Sequence, residues 1–308
     1  MDRVTPTPFT KGGSLDAEAP CALSVDVEDY FQVQAFARLV PRTAWDRFPS
    51  RVEGNTRRLL DLFDDAGATA TFFVLGWIAR SQPGLVREIA ARGHEIASHG
   101  MNHTMLTEQT PETFRADARD SRSLLEDLAG NPVIGFRAPS YSVNRETLWA
   151  IDVLAEAGYE YDSSVYPIRR RRYGFPGGPV LPTRLAGERR ELVEFPLPTL
   201  PIGPLRLPVL AGAYLRLFPG WLSILAARRH AARRVPLAVN VHPWEIDPGQ
   251  PTIGRSRIHT WTHYGRLDRT EGILRRVLAC ARFRDLGTRL RELGLLPPMA
   301  PAENGRGA

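Results

Sequence analysis

The chain has 308 residues, 43% apolar and 24% charged, with a formal net charge of +6. That balance buries a sizeable core and excludes a disordered or fibrous chain. The positive excess is arginine, partly in runs such as Arg169-Arg170-Arg171-Arg172, Arg228-Arg229 and Arg233-Arg234. Without aromatics interleaved with it, and without a nucleic-acid motif, it reads as a solvated face, and no nucleic-acid partner is expected. Two cysteines, Cys21 and Cys280, make no disulfide framework and suit a reducing compartment. Residues 1–20 lack the apolar centre of a signal peptide, and no run reaches membrane-spanning length, so a cytoplasmic location is expected. Residues 1–18 and 297–308 are expected to be disordered, flanking one catalytic domain over 19–296.

In chain order, residues 21–27 read as a strand and 53–66 as a helix closed by Gly67. Residues 69–75, β-branched and aromatic, read as a buried strand. A helix over 81–92 and a strand over 94–98 follow. Thr110 caps, and Pro111 opens, a long helix to 129 that Gly130-Asn131-Pro132 stops. A strand over 133–137, a helix from the Asn144 cap to 157 and a strand over 159–162 come next. Residues 167–190, basic and rich in proline and glycine, read as an irregular insertion. The pattern resumes with a strand over 192–197, a helix over 214–232 interrupted by Pro219, and a strand over 237–241. A loop over 242–268, a helix capped by Thr270, a strand over 283–286 and a helix over 288–293 complete it. Strands alternating with helices predict an α/β chain with a parallel sheet. About seven to eight strands suit a distorted (β/α) barrel.

Polar residues collect at the C-terminal ends of these strands, where a barrel places its active site. His99 and His103, four apart, offer two imidazoles that can share a metal ion with a third, oxygen ligand. Asp26-Val27-Glu28-Asp29 ends the first strand. Arg137-Ala138-Pro139-Ser140-Tyr141, Asp162-Ser163-Ser164 and His242-Pro243-Trp244-Glu245 end three others. Their coincidence points to an active site.

These segments, in this order, resemble the motifs of the NodB-homology polysaccharide deacetylases, carbohydrate esterase family 4. Asp26 to Phe31 and His242 to Pro251 look like the branch found with exopolysaccharide and exosortase (PEP-CTERM) loci. The resemblance covers roughly residues 22–293. It implies a distorted barrel and metal-dependent hydrolysis of N-acetyl groups on a polysaccharide or lipid-linked glycan. The ion would be zinc, with cobalt, nickel or iron as alternatives. Carried over, Asp26 is the general base, Arg137 holds it, His242 is the general acid, and His99 and His103 bind the metal. The backbone amide near Tyr141 would bind the oxyanion, and Asp162 and Trp244 would serve the substrate.

The usual first motif has adjacent aspartates, whereas Val27 and Glu28 separate Asp26 from Asp29 here. Strand alternation favours Glu28 as third metal ligand; a bend at the strand end favours Asp29. Tyr30, Phe31, Tyr141, Trp244, Trp261 and Tyr264 are candidates for stacking on sugar rings or for anchoring loops. Two other readings compete: a metal-free allantoinase-like amidohydrolase and a non-catalytic saccharide-binding protein.

Overall fold

The computed structural model describes residues 21–170, 173–203, 205–254 and 257–298. Of the ends expected to be disordered, 1–18 and 297–308, residues 1–18 and 299–308 lie outside the described residues. The first strand, β1 (Cys21–Val27), is buried along its whole length, as a strand with covered faces must be. It is central. β10 (Leu237–Val241) pairs parallel on one side and β2 (Thr71–Val74) on the other. From β2 the parallel sheet continues through β3 (Glu95–Ser98), β4 (Gly135–Phe136), β5 (Tyr161–Asp162) and β7 (Glu191–Glu194). β6 (Thr183–Ala186) closes that edge antiparallel, and short β11 (Phe283–Arg284) pairs with β1.

This is the expected fold class, a mixed α/β chain whose parallel sheet curls into a half-barrel. Among the described residues no pairing joins β10 to β6. Helices α1 (Val52–Asp65), α2 (Gly76–Ser81), α3 (Pro83–Ala91), α4 (Pro111–Ala129) and α5 (Trp149–Glu156) supply the crossovers. Their apolar stripes form the main core with the outer sheet face.

Side-chain alternation sends residues 22, 24 and 26 of β1 to the inner face, with 238, 240 and the following 242 from β10. A second, smaller core fills the inside of the curl with Ala22, Phe73, Ala97, Tyr161 and Ala238. Space there is tight: a Cβ on Gly135 would meet the Tyr161 ring at 2.3 Å. Helix α10 (Leu286–Glu292) plugs the N-terminal end of the strands, its Leu286 N–H donating to Thr71 Oγ1 at 2.8 Å. The opposite end is left for chemistry.

Thr110 caps α4 as expected, through the Thr113 amide, with Gly130 left-handed at its end. Other expectations need correction. The insertion over 167–190 contains β6. A hairpin of β8 (Thr199–Ile202) and β9 (Leu205–Pro208) follows it. Pro219 splits the expected helix into α6 (Ala213–Leu217) and α7 (Gly220–Arg233). The supposed loop over 242–268 carries a 3₁₀ turn (Pro243–Ile246) and α8 (Arg257–Tyr264). Helix α9 (Leu267–Leu278) starts ahead of Thr270, which therefore is not its cap.

Candidate active site

Asp26 reaches the open end of the sheet from β1 and is buried. Arg137, fully buried at the end of β4, donates to Asp26 Oδ1 at 2.6 Å and also binds Ser24 Oγ, Asn240 Oδ1, Ser163 Oγ and the Ser163 carbonyl. Its guanidinium stacks over Phe73 at 4.0 Å. The second carboxylate oxygen of Asp26 accepts from Asn240 Nδ2 at 3.0 Å and from the Tyr141 hydroxyl at 3.3 Å. Burial alone pushes the Asp26 carboxyl up, but the charges of Arg137, His99 and His242 outweigh it and hold the group well below the ordinary carboxylate range.

Glu28, His99 and His103 form the neighbouring cluster, with one ligand atom from each lying within 4.8 Å of the others. The His99 Nδ1 sits 2.8 Å from the Arg137 carbonyl. A carbonyl only accepts, so Nδ1 carries the proton and Nε2 presents a lone pair. Burial pushes His99 down to about 4, keeping the ring neutral. The His103 Nε2 and Glu28 Oε2 approach to 3.0 Å. Glu28 Oε2 is nonetheless a buried oxygen without a hydrogen-bond partner. A positive charge between those two atoms, a ring proton or a bound cation, satisfies both. A donor set of one carboxylate and two imidazoles fits a divalent transition-metal ion of the zinc type.

The loop carrying His103 is built, not loose. Gly100 has φ +72° and His103 φ +52°. Asp117 Oδ1 accepts the Met101 amide at 3.0 Å. Arg42, from the segment after β1, donates to the carbonyls of Asn102 and His103 at 2.6 and 3.1 Å. A cavity of about 220 Å³ adjoins His103, walled by Phe31, Gln32, Arg42 and Trp45 among others.

His242 follows β10. Its Nε2 lies 3.5 Å from both Asp26 Oδ2 and Glu28 Oε1. Its Nδ1 donates to Glu245 Oε2 at 2.9 Å, and Glu245 Oε1 accepts from Arg216 Nε at 2.9 Å, both side chains fully buried. Burial would lower the His242 ring, but the Glu245 hydrogen bond and the surrounding carboxylates carry it up to about 9.

The structure thus brings together Asp26, Glu28, His99, His103, Arg137, Tyr141 and His242. It does not bring Asp29 to the histidines. The backbone turns at Glu28, and the Asp29 Oδ2 instead accepts the Ser50 hydroxyl and the Arg51 and Val52 amides at the start of α1. The amide of Tyr141 is engaged by the Ala138 carbonyl at 3.0 Å, so its hydroxyl, not its N–H, faces the site. Trp244 is no sugar platform: it is buried between His242 and His263, and its Nε1 donates to Glu28 Oε1 at 3.2 Å. Asp162 is fully buried, takes the Ser164 hydroxyl at 2.5 Å, and lies opposite Glu194 in the β5–β7 register. Burial raises both carboxyls. Of the other aromatics, Tyr30 and Phe31 are buried while Trp261 is 61% exposed.

Three contributors escape the motif reading, Ser24, Asn240 and Arg216, while Glu245 lies within it without an assigned role. A signal for the first two exists, since each is a lone polar residue inside an apolar strand, two positions before Asp26 and His242.

Residues 43–161 match the family model described as "Polysaccharide deacetylase", and residues 163–291 match a domain of unknown function, DUF3473. The sheet runs through both segments, since β5 pairs with β7. A peptidoglycan-N-acetylglucosamine deacetylase of Bacillus cereus is 32% identical over 105 residues, 34% of this chain and 47% of that protein. A chitooligosaccharide deacetylase of Rhizobium leguminosarum bv. trifolii is 30% identical over 102 residues, 33% of this chain and 45% of that protein. The match spans under half the length of these relatives. A crystal structure from Mycobacterium smegmatis, provisionally assigned as a polysaccharide deacetylase, superposes with a TM-score of 0.60 at 22% identity, over 94% of this chain and 96% of that one; it shares the fold. Over part of its length the chain is thus similar to polysaccharide deacetylases.

Proposed function

We propose that this chain is a metal-dependent hydrolase that removes N-acetyl groups from a polysaccharide and releases acetate. The observation that carries the reading is one cluster holding an ionised carboxylate, a charged imidazole and a three-donor metal site: Asp26, His242, and Glu28 with His99 and His103.

Each group has a chemical task. A divalent ion held by Glu28, His99 and His103 would act as a Lewis acid, lowering the pKa of a water and polarising the amide carbonyl. Asp26, kept ionised by Arg137, takes the proton of the attacking water. Asn240 and Tyr141 hold the carboxylate from its other oxygen. His242, held protonated by Glu245, gives its Nε2 proton to the amine nitrogen as the C–N bond breaks. Arg216 keeps Glu245 ionised so that it remains a partner for the imidazolium. Binding alone needs neither an acid nor a base, so this pairing favours catalysis over a passive saccharide-binding role.

The finer reading is zinc as the ion and an N-acetylated exopolysaccharide as the substrate. It is supported by the donor set and by the resemblance of Asp26 to Phe31 and His242 to Pro251 to that branch.

The test is acetate release from N-acetylated exopolysaccharide, chitooligosaccharide and peptidoglycan. Zinc-loaded protein, chelator-stripped protein and Asp26→Asn are compared. The proposal expects release by the loaded protein, loss on stripping, and a fall of about 10²–10⁴-fold in Asp26→Asn. Absence of release from every glycan would overturn it, and turnover indifferent to chelators would instead favour a metal-free amidohydrolase.

A further inference from the structure

Behind the His242–Glu245–Arg216 chain lies a second cavity, of about 410 Å³, formed where α6, α7 and α9 meet. Arg216, Arg266, Arg269 and Arg276 line it together with Phe218 and Gly220, and no carboxylate is among the lining residues. The remaining arginine of α9, Arg275, is paired with Asp65 and Glu271. The three outer arginines at the cavity, Arg266 just ahead of α9 and Arg269 and Arg276 on it, are different. Arg266 donates to the Leu217 carbonyl and Arg276 to the Gly272 carbonyl. Arg269 makes no side-chain hydrogen bond or ion pair among the described residues. All three are exposed. No anionic side chain lines the cavity beside them.

The backbone adds to this field. Helix α7 is 14 residues long and begins at Gly220, on the cavity wall. The Arg276 Nη2 lies 3.5 Å from the position a Cβ on Gly220 would take. A guanidinium therefore stands at the positive end of a helix dipole, where like partial charges face each other. An anion there would be attracted by both, and planar guanidinium forks match tetrahedral oxyanions. Arg216 closes the inner wall with its donors already committed to Glu245, Gly265 and Thr262, so the outer three provide the free hydrogen bonds.

We propose that this cavity binds a phosphate-class oxyanion, as free phosphate or as the headgroup of an anionic lipid. The inference does not depend on the deacetylase reading. Exposed Trp221 and Leu225, at 65% and 53%, stand on α7 beyond Gly220 and suit the second source.

Titration calorimetry with inorganic phosphate at low salt tests the site on the full chain. Saturable binding is expected, weakened at least about tenfold in Arg269→Ala/Arg276→Ala and unchanged in Arg275→Ala. Unaltered thermal midpoint and metal content would show that the double variant is folded. Co-sedimentation with phosphatidylglycerol vesicles, against phosphatidylcholine vesicles, separates the sources. Retention that phosphate competes away assigns the headgroup; phosphate binding without retention assigns the free anion. No saturable phosphate binding, or binding equal in wild type and double variant, would overturn the proposal.

Discussion

Glu245 closes on His242 twice, accepting its ring N–H at 2.9 Å and its backbone N–H at 3.1 Å. The carboxylate therefore fixes both the orientation and the charge of the imidazole that faces Asp26. Arg216 completes the unit from the other side, fully buried.

Removing one member of that unit leaves an uncompensated charge in the core. Glu245→Gln is expected to lose about 3 kcal/mol of stability and to lower deacetylation about a hundredfold. Glu245→Gln/Arg216→Met removes both charges and is expected to be more stable than Glu245→Gln alone, while activity stays low. Chemical unfolding and acetate release on the two variants read this. Wild-type activity in either would contradict the role given to Glu245.

Arg42 touches no reacting group, yet it ties the carbonyls of Asn102 and His103 while His103 sits at positive φ. Arg42→Ala frees that loop. Zinc affinity is expected to fall about 10–100-fold, the usual consequence of losing support behind a ligand, with little change in global stability. Competition with a chromophoric chelator measures it.

Asn240 is the hub that joins Asp26, Arg137, Ser24 and Tyr141. Asn240→Ala deprives the buried Arg137 of one acceptor and Asp26 of one donor. A stability loss of about 1–3 kcal/mol is expected. With Asp26 less firmly placed, kcat is expected to fall more than KM rises, which steady-state kinetics on a soluble glycan resolves.

His94 lies away from the site and accepts the Ala70 amide on its Nδ1. Burial pushes it down from 6.5 to about 4. The unfolded chain then binds more protons between those values, so this residue's stabilisation is present above pH 6.5 and is lost as pH falls toward 4. Neighbouring Glu95, raised to about 7 by burial, works in the opposite direction. The comparison is therefore made against His94→Asn, whose side-chain oxygen can replace Nδ1. Wild type should lose about 3 kcal/mol relative to the variant between pH 6.5 and 4, read by urea unfolding at each pH.

What could be read in advance was what is local. The Thr110-Pro111 start of α4 satisfies its own orphan amides, and strand ends announce themselves by a polar residue after an apolar run. Third-ligand choice was not local, because it depends on the backbone turning at Glu28 so that Asp29 meets the start of α1. Trp244 misleads for a similar reason: burial by His263 comes from a helix that the proline-rich stretch before it concealed. Arg216 pairs with a residue 29 positions away. Neither periodicity nor motif spacing carries that information. Thr270 has the identity of a cap but sits inside α9, where its hydroxyl turns back to the Arg266 carbonyl at 3.5 Å.

The most direct measurement is zinc stoichiometry and affinity after chelation and back-titration, on wild type, Glu28→Gln, His99→Ala and Asp29→Asn. The geometry predicts about one tight equivalent in wild type and in Asp29→Asn, whose side chain can still cap α1, and strongly weakened binding in Glu28→Gln and His99→Ala. Retained tight binding in Glu28→Gln with loss in Asp29→Asn would contradict the assembled centre around which Asp26 and His242 have been given their roles.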